Sequence, residues 1–172
     1  YVIMRPPGES QQRFLLMLPF TPIGAKKNLM TAWISAHCDV PDYPKVSVYT
    51  FPSGDLPDGP MLIESRIDQS PKISEQLSLR RQRGGGSNVI RGNLLVLPIG
   101  KSIVYVEPLY LVAEATRLPQ IKKVIVASQE KVVMADSLSD GIRQAFGATL
   151  LDSRPTPNFS EFNKPAQETG PT

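Results

Sequence analysis

The sequence has little of what metal sites, disulfide scaffolds and nucleophilic enzymes depend on. Its 172 residues include one cysteine, Cys38, and one histidine, His37. A single cysteine excludes a disulfide within the chain, and a single histidine leaves no second imidazole for a metal site or a proton shuttle. The two are neighbours in a segment predicted to be a strand, where adjacent side chains point to opposite faces, so we do not expect a nucleophilic pair.

Long apolar runs and strong charge of one sign are also missing. The longest apolar run, Phe14 to Phe20, already contains Pro19, and a membrane-spanning helix needs roughly 18 residues. The 19 basic and 16 acidic residues give a net charge of only +3, and the basic residues are not clustered as a nucleic-acid partner requires. The chain starts at Tyr1 without a leader segment, so we expect a piece of a longer protein.

What the sequence does contain is a globular composition followed by a polar tail. Hydrophobic residues make up 41% and charged residues 20%, as in ordinary globular domains. The last 21 residues, 152–172, have few apolar side chains. They cannot bury enough surface to offset a backbone ordering cost of about 1–2 kcal/mol per residue. We predict one domain over residues 1–151 and a proline-rich, disordered tail over 152–172.

The first half of the domain predicts four strands and two helices. The strands are expected at 1–5, 13–20, 29–38 and 45–51. The second of them is apolar at every position from Phe14 to Leu18, which predicts a strand covered on both faces. Two short helices follow, with Pro60 and Pro71 at their first positions, where proline is well tolerated.

The second half predicts a sheet closed by a helix. Runs rich in Val, Ile, Leu and Tyr predict four strands at 89–99, 102–113, 121–127 and 131–135. Ser137 and Asp140 have capping-box spacing, and Gly147 is placed to end the helix. The fold class expected is therefore α+β, a mostly antiparallel sheet with two short central helices and one C-terminal helix.

Three polar residues in the second half are candidates for a ligand site. Glu107 interrupts an apolar run just before Pro108, and a carboxylate buried there needs a partner. In one interpretation Glu107 forms a structural ion pair with Arg91 that holds the bend at Pro108. In the other, Arg91, Asn93 and Glu107 form a polar cluster that binds a ligand.

Two carboxylates and one arginine-rich segment are further candidates. Glu64 and Asp68 are four residues apart on a predicted helix, either as exposed charges or as a pair for acid–base catalysis. Arg80, Arg81 and Arg83 precede three glycines and can attract an anion. The alternatives for this segment are a solvated loop, contact with anionic lipid headgroups or a partner at a membrane surface, and a phosphate site. The spacing matches neither a Walker A loop nor a dinucleotide fingerprint.

Several long motifs, found in order, resemble a known family. The sequence is similar to the C-terminal soluble region of uncharacterised protein family 0182 in Phe14–Pro22, Ala32–Trp33, Ile73–Leu79, Val89–Gly100, Tyr105–Leu111, Lys123–Ala127 and Phe146–Gly147. The resemblance covers about residues 1–147. It implies a piece of a large bacterial integral membrane protein, with several N-terminal spanning helices followed by a long extracytoplasmic part.

The resemblance carries no established activity, so the expected function stays general. We expect a noncatalytic extracytoplasmic binding or interaction module of a multi-pass plasma-membrane protein. The alternative is an enzyme or transporter accessory domain that acts on an anionic lipid or glycan at the membrane surface. The expected partner is the remainder of the same protein, with anionic lipid headgroups or another envelope protein as alternatives. The residues predict no catalytic group, metal, cofactor or nucleic-acid partner.

Overall fold

The computed structural model describes residues 1–24, 28–82, 87–99, 102–113 and 117–147. Within them the chain forms nine strands in two antiparallel sheets, and three helices, which confirms the α+β class and the placing of the helices. Among these residues the chain divides into two compact units, the first unit Tyr1–Gly59 and the second unit from Pro60 to Gly147. The predicted boundary at residue 151 and the predicted tail lie outside the described residues.

The first unit is a four-stranded antiparallel sheet with the strands in sequence order. Its strands are β1 (Val2–Met4), β2 (Arg13–Phe20), β3 (Ala32–His37) and β4 (Val46–Thr50). β2 has the predicted bounds, and the other three strands are shorter than predicted. Leu29, predicted to lie in a strand, makes only an isolated bridge to Asp58.

The expectation that β2 is covered on both faces is wrong. Leu15 is fully buried, whereas Phe14, Leu16, Leu18 and Phe20 are exposed. An apolar residue on a strand shows a face suited to burial, but whether another layer covers that face is decided by elements far away in the sequence.

The second unit begins with two helices and continues as a five-stranded sheet. Its elements are α1 (Pro60–Asp68), α2 (Pro71–Gln82), β5 (Ser87–Arg91), β6 (Leu95–Ile99), β7 (Ser102–Ala113), β8 (Pro119–Ala127), β9 (Val132–Ala135) and α3 (Leu138–Phe146). The sheet has the order β5-β7-β8-β9, and β6 pairs with the N-terminal half of β7 beyond the end of β5. The longest of the three described helices has 12 residues, and none is long and apolar enough to cross a membrane.

The single strand predicted at 89–99 is in fact two strands that share one edge of β7. The break falls at Gly92, whose N–H donates to the Pro108 carbonyl at 2.8 Å. A Cβ on residue 92 would lie 2.6 Å from the Pro108 ring, so this close approach requires glycine. In an antiparallel strand the N–H and C=O of one residue point to the same side. Proline has no N–H, and at position 108 the missing N–H would point to the gap between β5 and β6, where it has no partner in a ladder.

One face of the second sheet packs against α3. Val104, Val106, Val124 and Val126 form a buried cluster with Ala145. The helix begins as predicted, since the Ser137 Oγ accepts from the Asp140 N–H at 3.2 Å and donates to the Asp140 carboxylate at 2.7 Å. Gly147 ends it with φ of 79°, a left-handed conformation that favours glycine. This layer is a conventional apolar core.

Candidate functional site

The register of β5 and β7 brings Arg91 and Glu107 together. Arg91 lies opposite Leu109 in the ladder, and Glu107 is two residues away on the same face, so the two are diagonal neighbours. The Glu107 side chain is 1% exposed and that of Arg91 is 28% exposed. The Arg91 Nε donates to Glu107 Oε1, and Nη2 donates to Glu107 Oε2 at 2.8 Å. This is the bidentate ion pair that the first interpretation predicts.

Helix α1 adds two more carboxylates to the same guanidinium. Arg91 Nη1 donates to Asp68 Oδ1 at 2.6 Å, and Nη2 donates to Glu64 Oε2. The exposed-charge interpretation holds for solvent access, since the Asp68 side chain is 64% exposed and that of Glu64 is 39% exposed. What the sequence did not predict is that their i, i+4 spacing turns both carboxylates toward Arg91.

These four residues, Arg91, Glu64, Asp68 and Glu107, form the Arg91 cluster, which carries an excess of negative charge. Four hydrogen bonds to carboxylates engage the guanidinium, and it has five N–H donors. The hydrogen bond that Arg91 donates to Glu107 raises the pKa of Arg91 further above its ordinary value. Burial and the nearby Glu107 carboxylate raise the pKa of Glu64, against the opposing effect of Arg91. Since Glu107 already compensates Arg91, Glu64 and Asp68 are surplus carboxylates.

Of the other candidates from the sequence, Asn93 is the one whose side chain the structure describes. Asn93 is exposed in the link between β5 and β6. Among the described residues, the hydrogen-bond partners of Arg91 are Glu64, Asp68 and Glu107, not Asn93. Arg80 and Arg81 belong to the last turn of α2, and Arg83 lies outside the described residues. The ligand-binding and anion-binding roles of these residues stay predictions. Within the described part of the chain, no group of three or more side chains is placed to hold a metal ion.

A second candidate site, which the sequence did not predict, is one face of the first sheet. Three ladder rows lie on it: Leu16 with Ala36 and Val46, Leu18 with Ile34 and Val48, and Phe20 with Ala32 and Thr50. Phe14 and Ile3 form a fourth row beside them. We call these eleven positions the apolar face. Its larger side chains at positions 3, 14, 16, 18, 20, 46 and 48 are each 41–68% exposed, and its one polar residue is Thr50.

The opposite face of this sheet holds the polar residues of β3. Ser35 and His37 are buried beside Trp33. The His37 Nε2 lies 3.3 Å from a Glu9 carboxylate oxygen, and its Nδ1 lies 4.0 Å from one of Asp39. Cys38 lies just beyond the strand, and its thiol donates to the Ala36 carbonyl at 3.6 Å. The Cys38 thiol and the His37 imidazole thus have different partners. This is consistent with the prediction that they do not form a nucleophilic pair.

A signal for the apolar face was present in the sequence. β2 is apolar at both parities, and Ile34, Val46 and Val48 alternate with polar residues in the two strands that follow. Alternation with Ser35, His37 and Ser47 indicates that one face of this sheet is apolar and the other is partly polar. Nothing local indicated that the apolar face is the exposed one.

In the described residues, fold and site define an α+β chain with an exposed apolar sheet face and an internally paired charged cluster. Residues 1–80 match the family model described as Uncharacterised protein family (UPF0182). The chain belongs to this family, as the sequence resemblance predicted.

The relatives are bacterial and much longer. The chain is 50% identical over 147 residues to a UPF0182 protein of Moorella thermoacetica. The aligned region covers 86% of this chain and 16% of the relative. It is 52% identical over 147 residues to UPF0182 protein bll7333 of Bradyrhizobium diazoefficiens, covering 85% of this chain and 15% of that one. A UPF0182 protein of Geotalea uraniireducens is 46% identical over 161 residues, or 91% of this chain and 18% of the relative. No solved structure matches the chain.

Proposed function

We propose that this chain is a noncatalytic interaction module of a multi-pass bacterial plasma-membrane protein, and that it lies on the extracytoplasmic side. The observation that carries the proposal is the apolar face. The largest exposed apolar patch on a typical monomer covers about 300–600 Å² and is often functional, and this one extends over a face of the four-stranded sheet. The membrane setting and the side are supported by the resemblance of the sequence to a family of large membrane proteins.

The alternative role, action on an anionic lipid or glycan, gains no support from the Arg91 cluster. An anionic ligand would have to displace carboxylates that already occupy the guanidinium, and would meet an excess of negative charge. Glu107 is also buried, so its removal from Arg91 would leave an uncompensated charge. We therefore assign the Arg91 cluster a structural role that ties α1 to the sheet.

A paired charge substitution tests the interaction role. Leu16→Glu with Leu18→Glu places two charges on the apolar face, where both side chains are already in contact with water. We expect the 172-residue chain to keep its circular dichroism spectrum and its melting temperature to within a few degrees. At the corresponding positions of a full-length family member, we expect the steady-state amount in membranes to fall several-fold.

The control is a matched pair of charges away from the face. Gln120→Glu with Gln129→Glu alters two exposed, uncharged positions of the second unit, adds the same two negative charges, and should leave both measurements unchanged. Equal membrane levels for the Leu16/Leu18 pair and this control would contradict the proposal.

The side of the membrane is tested separately with C-terminal fusions to two reporters. Alkaline phosphatase is active only outside the cytoplasm, whereas a fluorescent protein that folds only in the cytoplasm is fluorescent only inside. We expect activity from the phosphatase fusion alone.

A further inference from the structure

We infer that the apolar face packs against another part of the same, much longer polypeptide, and not against a second copy of the chain. This inference rests on the proposed function and names the partner of the same surface. It follows from the size of the face, from its lack of charge, and from the length of the relatives.

The size of the face matches a contact between domains of one chain. The sheet has four strands, which are about 4.8 Å apart, and a length of about seven residues at about 3.3 Å each gives a footprint of about 400 Å². Packing this face against a second surface buries about 800 Å² or more in total, because projecting side chains expose more area than the flat sheet. Contacts between domains of one chain begin at about 600 Å². The area therefore suits an intramolecular contact.

The length of the relatives supplies the tether that such a contact needs. The matched segment covers 16% of the Moorella thermoacetica relative and 15% of the Bradyrhizobium diazoefficiens relative, so more than four-fifths of each polypeptide lies outside it. A segment of the same chain is present at an effective concentration on the order of millimolar. A contact too weak to hold two free molecules together is then occupied most of the time.

The chemistry of the face defines what its partner presents. The paired positions of the apolar face carry no charged side chain and have Thr50 as their one polar group. A charged partner would lose its hydration there without gaining a counter-charge. The partner is therefore a second apolar surface, and burial of apolar area supplies the attraction.

Cysteine protection in a full-length family member tests this inference. In a cysteine-free background, single cysteines are placed at the positions of Leu18 and Val48 on the apolar face, and at Gln129 as an exposed control. Their rates of reaction with a water-soluble maleimide are compared in the folded protein, and again after denaturation. We expect the two face positions to react at least tenfold more slowly than Gln129 in the folded full-length protein, and all three to react alike after denaturation.

The same substitutions in the 172-residue chain, made with Cys38→Ser, separate the possible occupants. We expect the face positions to react there about as fast as Gln129, and sedimentation velocity to show a monomer up to about 100 µM. Protection of the face in a dimer would identify a second copy, and protection in a monomer would identify residues of this chain. Either result would overturn the inference.

Two results in the full-length protein bear on the inference and on the proposed function differently. Protection that is present in membranes but lost in the purified single polypeptide would identify a separate protein; the inference would fail and the interaction role would stand. Rapid labelling of Leu18→Cys and Val48→Cys in membranes would mean that nothing covers the face, and both would fail. Retained protection in the purified single polypeptide is the outcome expected.

Discussion

In the sheet of the first unit, large apolar side chains such as Leu16 and Leu18 face outward while Ser35 and His37 are buried. In the sheet of the second unit, Val104 and Val126 are buried in a cluster that α3 covers. Both sheets are antiparallel and both have strands of similar composition, so strand chemistry does not explain the difference. What differs is the presence of a covering layer. A sheet face without a layer of its own is typical of a module that completes its burial on a partner.

The largest expected loss of stability comes from a substitution in the second unit. Arg91→Ala leaves the buried Glu107 carboxylate without its partner, and we expect the free energy of unfolding to fall by about 3–5 kcal/mol at pH 7. Urea denaturation of the 172-residue chain measures it. The matched control is Arg143→Ala, which removes an exposed pair with Asp140 and should cost less than about 0.5 kcal/mol. Adding Glu107→Gln to Arg91→Ala should restore part of the loss, and a purely additive double variant would contradict the assigned ion pair.

The next effect contrasts neighbouring residues of one strand in the first unit. Leu15 is fully buried and Leu16 is 42% exposed. Leu15→Ala should lower the free energy of unfolding by about 2–5 kcal/mol, as is typical of leucines in a core. Leu16→Ala should change it by about 0.5 kcal/mol or less. Equal costs for the two substitutions would show that the apolar face is already covered within this chain.

The smallest effect concerns Glu64, one of the two surplus carboxylates of the Arg91 cluster. The folded-state pKa of Glu64 is raised, so the native state binds its proton more tightly than the unfolded state. The stability from that proton is present at low pH and is lost as the pH rises through the folded pKa. Glu64→Gln should therefore be more stable than the native sequence at pH 7, and the difference should shrink on acidification to about pH 4.5.

The size of this effect is limited by solvent. The Glu64 side chain is 39% exposed, so we expect a gain of less than about 1 kcal/mol. Glu75→Gln, at an exposed position of α2, serves as the matched control for the loss of one carboxylate. A Glu64→Gln variant less stable than the native sequence at pH 7 would mean that the attraction of Glu64 to Arg91 outweighs its repulsion from Glu107.

Local signals in the sequence were sufficient where an element is specified by its own residues. α3 has its cap at Ser137 and its terminator at Gly147 as predicted, because these signals act within one turn of the helix. The two helices that open at Pro60 and Pro71 were likewise found from proline at the first helical position. The break between β5 and β6 was missed, although an isolated glycine such as Gly92 inside a strand pattern often marks a close backbone approach.

The candidate site was only partly accessible to sequence reasoning. The sequence by itself determined the α+β class, the two positions of Arg91 and Glu107 that needed a partner, and the alternation that makes one face of the first sheet apolar. Only the tertiary structure decided that Glu64 and Asp68 join Arg91, because they lie 27 and 23 residues before it in the chain. It also decided that the larger side chains of the apolar face are exposed. Periodicity fixes which side chains share a face, but the layer that covers a face comes from distant elements, or from another part of a longer protein.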